Sequence, residues 1–332
     1  MTDEINRWTV GNVRITRVVE MEGGFPPGAM FNGLTEDRVK SIGWIHPHYA
    51  LPDGTVRYSV HAYIVESQGR RIIVDTCVGN DKPRNNEGWN KLQIPFLDRL
   101  KKAGYMPESI DTVLCTHLHL DHVGWNTRWD GKNWVPTFPN ARYLFGRAEW
   151  EHWTHENHGS GDMPDFVVQL SEQGNVMNDS VLPIVKAGLH ELVQSNHPVT
   201  DEVSLLPTPG HTPGHVSVAI NSAGQHATIT GDLMHNPIQI GDPEICSNFD
   251  FDQAIALSTR RSFIADHVDR DVLVLGTHFT TPAVGHIVRE KDGVRFVAAE
   301  QQSDDQRSVA SLGRSVPPDL EADNCTVLGG RK

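Results

Sequence analysis

The sequence predicts an α/β domain, and three observations carry that prediction. Short apolar runs with strand character recur along the chain, helical stretches separate several of them, and the loops after certain runs are loaded with His and Asp. At 332 residues the chain can build one large domain or two small ones around a substantial core. A net charge of -13 supplies no Lys/Arg stripe to displace counterions from a phosphate backbone, which argues against a nucleic-acid partner. No stretch approaches the roughly 18 uninterrupted apolar residues of a membrane span, and the opening Met1–Trp8 lacks the basic flank and apolar core of a secretion signal. These features fit a soluble, cytoplasmic protein with no membrane partner. The cysteines Cys77, Cys115, Cys246 and Cys325 lack C-x-x-C spacing and fit free thiols in a reducing compartment.

Residues 10 to 20 alternate as a first strand. The following Gly23–Phe31 is too rich in Gly and Pro for a regular element and is expected to be a loop. Its Phe25, Met30 and Phe31 serve either as a lid over a site or as packing and homodimer contacts. His46 and His48 are expected at a surface or interface. Tyr58–Val65 and Arg70–Asp75 read as a hairpin of core strands joined through Ser67-Gln68-Gly69. Ile94–Gly104 reads as an amphipathic helix opened by Pro95 and closed by Gly104, with Phe96, Leu97, Leu100 and Ala103 on one side.

Past the strand-like Ile110–Cys115, Trp125–Trp134 forms an aromatic-bearing connection, Asn140–Phe145 a strand, and Arg147–Trp153 the start of a helix. Trp150 and Trp153 share a helical face and belong either to the core or to the mouth of a pocket. His152, His155 and His158 have helical spacing but run into the turn Gly159–Asp162, so they are expected to face solvent. Residues 165 to 200 read as a helical insertion of mixed polarity. Strands resume at Glu202–Leu206, Val216–Ile220 and His226–Thr230, and beyond Phe296 the chain turns polar, as a poorly ordered tail does. The expected divisions are an extension over 1–54, a main domain over 55–298 and a tail over 299–332.

The chemistry concentrates in Thr116-His117-Leu118-His119-Leu120-Asp121-His122-Val123-Gly124, directly after an apolar run. Alternate side chains of an extended backbone share a face, so His117 and His119 project together, and a turn can swing Asp121 and His122 to an adjacent point. That arrangement suits two metal ions held side by side, because so much desolvated polarity at a strand end needs a compensating partner.

The pattern H-x-H-x-D-H resembles the signature of the metallo-β-lactamase superfamily. Pro207–His215 resembles the family's second motif, Thr228–Asp232 its third, and Leu273–His278 its last, all in the family's order. The resemblance implies a four-layer αββα sandwich with metals at one sheet edge. It implies one metal on His117, His119 and His211, a second on Asp121, His122 and His278, and Asp232 shared. Donors of this kind without thiolate suit Zn2+, with Mn2+, Co2+ or Fe2+ as replacements. Asp75 ends its strand where the family usually has Asp-Thr-Gly; it is expected to accept the other N–H of a ligating imidazole, while Cys77 stands in place of the glycine. His215 is expected to hold loop structure.

The implied activity is a di-metal hydrolase whose metal-bridging hydroxide opens lactones or cleaves carboxylic esters of a small-molecule substrate, with Asp121 or Asp232 taking the proton that must move. N-acyl homoserine lactonases of the superfamily place a tyrosine three residues after the bridging aspartate. Here that position is His235, and the whole run after Asp232 more closely resembles the methyl parathion hydrolase branch; His235 serves either as a hydrogen-bond donor to substrate or leaving group or as an orienting group. An organophosphate triester hydrolase is the neighbouring alternative, and an iron-dependent persulfide dioxygenase-type oxidoreductase is the alternative from another class. Phe25, Phe31, Trp150 and Trp153 are the candidates for the pocket wall.

Overall fold

Two strands separated by a tight turn open the chain in the computed structural model, which describes residues 5–156, 173–291 and 293–299. Strand β1 (Asn6–Val10) turns at Gly11 into β2 (Val13–Phe25), so the expected single strand is a pair, and β2 runs through Gly23 and Gly24. Local propensity alone favours a loop over that Gly-rich stretch. In the structure its backbone pairs in register as far as Phe25 opposite Val56, and those ladder bonds outweigh a glycine penalty of about 0.5–1 kcal/mol per residue. The register slips between Val19 and Met21, a bulge that leaves Glu20 unpaired in the ladder and turned into the interior.

Strand β3 (Val56–Ser67) returns as β4 (Arg70–Val74) through Gln68 and Gly69, both left-handed, the geometry that suits a two-residue hairpin. The helix Phe96–Lys102 buries Phe96 and Leu100 and is followed by Gly104 at φ +98°; it is shorter than the sequence suggested because Pro95 caps it from outside. Strand β5 (Thr112–Leu114) adds parallel to β4. A small hairpin, β6 (Thr127–Trp129) and β7 (Trp134–Pro136), stands apart, and β8 (Arg142–Gly146) and β9 (His190–Val193) complete a seven-stranded sheet. In the stretch expected to be a helical insertion, short helices over 173–186 are therefore followed by an edge strand; residues 157–172 lie outside the described residues.

The second sheet takes its six strands in chain order: β10 (Val203–Pro207), β11 (Val216–Ser222), β12 (Gln225–Ile229), β13 (Val272–Leu275), β14 (Val284–Glu290) and β15 (Gly293–Ala298). Only β12 and β13 run parallel, and the helix Gln253–His267 crosses between them. That helix went unread in the sequence. Asp252 caps it by accepting from the N–H groups of Ala254 and Ile255.

The two sheets face each other across one continuous apolar core, with helices outside, giving the αββα sandwich. Polar ties cross the interface where the sheets meet: His61 Nε2 and Tyr63 Oη each lie 3.1 Å from the carbonyl of Gly276, and the buried Arg17 guanidinium reaches Thr281 Oγ1 at 2.8 Å. Among the described residues no helix is long and apolar enough to cross a membrane.

Candidate metal centre

Strands of both sheets end at one edge, and the His and Asp side chains sit just past those ends. Asp75 follows β4, the His117–His122 loop follows β5, His211 follows β10, Asp232 follows β12 and His278 follows β13. The loop behind them is tightly made. Asp75 and Cys77 both hold left-handed backbone, at φ 57° and 55°, so Cys77 adopts the conformation that glycine normally supplies. The turn is tied down by Thr76 N–H to His122 O (2.8 Å), Gly124 N–H to Cys77 O (2.7 Å) and Trp125 N–H to Thr76 O (2.7 Å).

The imidazoles form two groups around one carboxylate. His119 Nδ1 lies 3.0 Å from both His117 Nε2 and His211 Nε2, and His278 Nε2 lies 3.3 Å from His122 Nε2 with Asp121 alongside. Asp232 sits between the groups. Its Oδ2 faces His211 at 3.3 Å and His117 at 3.8 Å, while its Oδ1 faces His278 at 3.1 Å and His122 at 3.2 Å. His235 Nε2 approaches Oδ2 at 3.2 Å, and its Nδ1 is buried without a hydrogen-bond partner.

The outer ring nitrogens of three of these histidines are held. His122 Nδ1–H donates to Asp75 Oδ2 (3.0 Å), His211 Nδ1–H to Asp250 Oδ1 (3.1 Å) and His278 Nδ1–H to the Ser59 carbonyl (2.9 Å). Such contacts fix the tautomer and aim the other nitrogen inward. Asp250 and Ser59 were missed in the sequence, where neither carries a spacing signal. His215 donates through Nδ1 to the Thr208 carbonyl (2.9 Å) and accepts at Nε2 from the Asp232 N–H (2.8 Å), so it shapes the loop that presents Asp232.

Electrostatics sort the groups. Burial, reinforced by neighbouring imidazoles, holds His117, His119 and His211 well below the ordinary histidine pKa, which keeps their lone pairs free. Burial pushes His122 and His278 down as well, but Asp232 and Asp121 outweigh it and raise both; Asp75 adds to the effect on His122. Burial alone would raise Asp232, yet the surrounding histidines, His122 and His278 foremost, hold it well below the carboxylate range.

This donor set fits divalent metal ions. Inward-facing imidazole nitrogens crowd to 3.0 Å, and Asp232 Oδ1 is buried with no hydrogen-bond partner, an expense that a cation would remove. Close ligand groups of this kind comprise His117, His119 and His211; His117, His122 and Asp232; Asp121, His122 and His278; and His211, Asp232 and His235.

A cavity of about 380 Å³ opens over the cluster. Phe25, Met30, Tyr58, Trp89 and Phe249 give it an apolar wall, and Asn85 and Asn86 add amides. Phe25 stacks on Tyr58 at 4.5 Å, and the Trp89 ring lies tilted against Tyr58 at 6.2 Å. Of the four aromatics expected here, only Phe25 lines the cavity. Phe31 is buried behind His235, Trp150 stacks on His190 away from the opening, and Trp153 is buried with its ring 5.5 Å from His119. His46 is half-buried, its ring nitrogens near the carbonyls of Ala50 and Val39, while His48 is exposed. His152, expected in solvent, is half-buried against Trp153 and Phe251; the side chain of His155 and all of His158 lie outside the described residues. Cys77, Cys115 and Cys246 are buried free thiols, and Cys325 lies outside the described residues.

Fold and cluster together define a class: the chain belongs to the metallo-beta-lactamase superfamily, whose family model matches residues 55–278. Among curated relatives, an N-acyl homoserine lactonase of a Bacillus species is 30% identical over 175 residues, covering 49% of this chain and 58% of that protein. One from Bacillus cereus is 27% identical over 183 residues, covering 52% and 62% respectively, so the matches span about three fifths of those relatives' length. Among solved structures, a hydrolase of the beta lactamase superfamily, AbOPH, superposes with TM-score 0.77 at 24% identity, covering 91% of this chain and all of that one. The dizinc quorum-quenching lactonase AidC superposes with TM-score 0.73 at 19% identity, covering 90% and 98%.

Proposed function

We propose that this chain is a binuclear metal-dependent hydrolase that opens lactones or cleaves carboxylic esters. The observation that carries the reading is Asp232, buried between two groups of ligand-type side chains with one carboxylate oxygen turned to each. His117, His119 and His211 would hold one ion, and Asp121, His122 and His278 the other, with Asp232 shared. Imidazole and carboxylate donors of this kind suit Zn2+, with Mn2+, Co2+ or Fe2+ as possible replacements. Bound there, a pair of divalent ions supplies Lewis acidity to a scissile carbonyl and lowers the pKa of water toward 7.

The protein's own groups do the rest. Asp121 borders the cavity, so its carboxylate can take a proton during attack and return it to the leaving oxygen. His235 fits the orienting role better than the donor role, since its Nε2 faces Asp232. Tyr58 sits on the cavity wall. Its hydroxyl accepts from Trp89 Nε1 at 3.3 Å, which leaves its own proton to donate to a substrate oxygen. Burial raises the Tyr58 pKa, so that proton stays in place at neutral pH. Phe25, Met30, Trp89 and Phe249 receive the apolar part of the substrate and exclude water from it. The catalytic body is 55–298, with residues 1–54 contributing Phe25 and Met30.

The two curated relatives named above, both N-acyl homoserine lactonases by name, support a lactone substrate. A panel of lactones, aryl esters, phosphotriesters and β-lactams, run with zinc-loaded protein, tests the reading. Turnover of lactones or carboxylic esters well above the other two classes is expected. Preference for phosphotriesters or β-lactams would overturn it.

A further inference from the structure

Two buried carboxylates outside the ligand set take part in no step described above. We infer that Glu149 and Glu20 are positioning residues, each bracing one half of the metal centre, Glu149 the His117/His119/His211 half and Glu20 the half containing His122. The inference rests on the binuclear reading given under the proposed function.

Glu149 lies in the first turn of the helix Arg147–Glu156 and is 1% exposed. Its Oε1 accepts from the N–H of Leu118 (3.1 Å) and from Trp153 Nε1 (2.6 Å), and its Oε2 accepts from the N–H of Gly214 (3.1 Å). Leu118 stands between His117 and His119, and Gly214 follows His211 by three residues. One carboxylate therefore ties together both loops that deliver this half's imidazoles. A Cβ at Gly214 would fall 2.3 Å from the backbone nitrogen of Glu149, so glycine is what lets the helix come this close. The indole that caps Glu149 also packs its ring against His119.

Glu20 repeats the arrangement on the other side. The bulge in β2 turns it inward, fully buried, where Oε2 accepts from the N–H of Val78 (2.8 Å) and Oε1 from the N–H of Gly79 (3.1 Å) and Trp125 Nε1 (2.7 Å). Val78 and Gly79 continue the left-handed turn that begins at Asp75, the residue holding the His122 ring. Trp125 continues the loop that carries Asp121 and His122. Each brace is thus a carboxylate satisfied by two backbone N–H groups and one indole N–H, and buried carboxylates persist only when so satisfied.

The test is competition for zinc between a chromophoric chelator and the zinc-loaded full chain, with thermal melting of the metal-free proteins alongside. Glu149→Gln and Glu20→Gln keep the shape but turn an amide NH2 toward an N–H donor. Each is expected to weaken one of the two zinc ions about 10–100-fold, the usual effect of losing a group that orients ligands. The backgrounds separate the halves. In His278→Ala, where the second half lacks a ligand, Glu149→Gln still loosens the remaining ion and Glu20→Gln does not; in His211→Ala the pattern reverses. A merely structural role would lower melting in every background without that exchange. Should a glutamine variant fail to fold, Trp153→Phe and Trp125→Phe each delete one donor and are expected to give the same pattern with smaller shifts. Two tight zinc ions in the parent with indifferent variants would overturn the braces alone. A parent chain that binds no zinc would sink the binuclear reading and the braces with it.

Discussion

Replacing Gly124 by alanine tests whether the two loops behind the cluster are packed as closely as they are drawn. A Cβ there would lie 1.9 Å from the Val78 carbonyl oxygen and 2.5 Å from that of Cys77, where real Cβ contacts stay above 3.0 Å. Gly124 is not among the left-handed glycines, so the objection is steric, and it is raised by backbone that no rotamer change can move. The loops must part by about 1 Å. That stretches the 2.7 Å bonds from Gly124 N–H to Cys77 O and from Trp125 N–H to Thr76 O, and it draws Asp75 away from His122. Overpacking costs about 1–3 kcal/mol and a weakened buried hydrogen bond about as much again, so a loss of roughly 2–6 kcal/mol is expected. At about 2 °C or more per kcal/mol the melting temperature should fall by roughly 5–15 °C. Turnover should drop about 100-fold, since a displacement of this size misplaces the reacting groups. The control is Gly43→Ala, where an added Cβ meets nothing within 4 Å at an ordinary φ and stability should stay within about 0.5 kcal/mol. Differential scanning calorimetry on both variants, with initial rates on the best substrate of the panel, makes the comparison. A Gly124→Ala protein as stable and active as Gly43→Ala would refute the packing.

Asp232→Ala should lose bound metal and turnover together, because both halves of the cluster share that carboxylate; elemental analysis beside an activity assay checks it, and full turnover would contradict the shared role. Tyr58→Phe keeps the stack on Phe25 but removes the hydroxyl, so kcat/KM should fall about tenfold with metal content unchanged, as expected for one lost hydrogen bond. Lys82 gives a pH prediction away from the cluster. Burial lowers its pKa from 10.5 to about 7, against the pull of Asp179, so between those values the folded chain binds fewer protons than the unfolded chain. The stability it contributes is present in full above the unfolded value and is lost as pH falls toward 7. Urea unfolding at about pH 7 and about pH 9 should therefore show the parent gaining stability relative to Lys82→Met as pH rises, and a constant difference between the two would be the contrary result.

The sequence showed the His/Asp cluster more readily than the wall around it. Runs such as Val113-Leu114-Cys115 and Leu273-Val274-Leu275 are apolar because both faces of those strands are covered, and the change to His or Asp marks the sheet edge where the cluster sits. The groups behind the imidazoles left no such mark. Asp250, Glu149 and Glu20 are single carboxylates whose partners come from distant segments, and Ser59 acts through a backbone carbonyl that any residue would supply. Tyr58 read only as part of a core strand, and it lines the cavity because β3 begins beside it; Trp89 comes from the turn Glu87–Trp89, which carries no sequence signal of its own. Trp150 failed as a wall candidate because a helical stripe has two edges, and its edge turns to His190 while that of Trp153 turns to the back of His119. Gly23-Gly24-Phe25 misled because local propensity favours a loop, whereas pairing with β3 supplies ladder bonds invisible to local pattern.

Calorimetric titration of metal-stripped protein with Zn2+, with hydrolysis of the preferred lactone or ester followed at each point, addresses the paired centre most directly. Saturation at about two equivalents, with turnover rising as the cluster fills, is the predicted course. Full turnover in metal-stripped protein, or a chain that takes up no zinc, would contradict it.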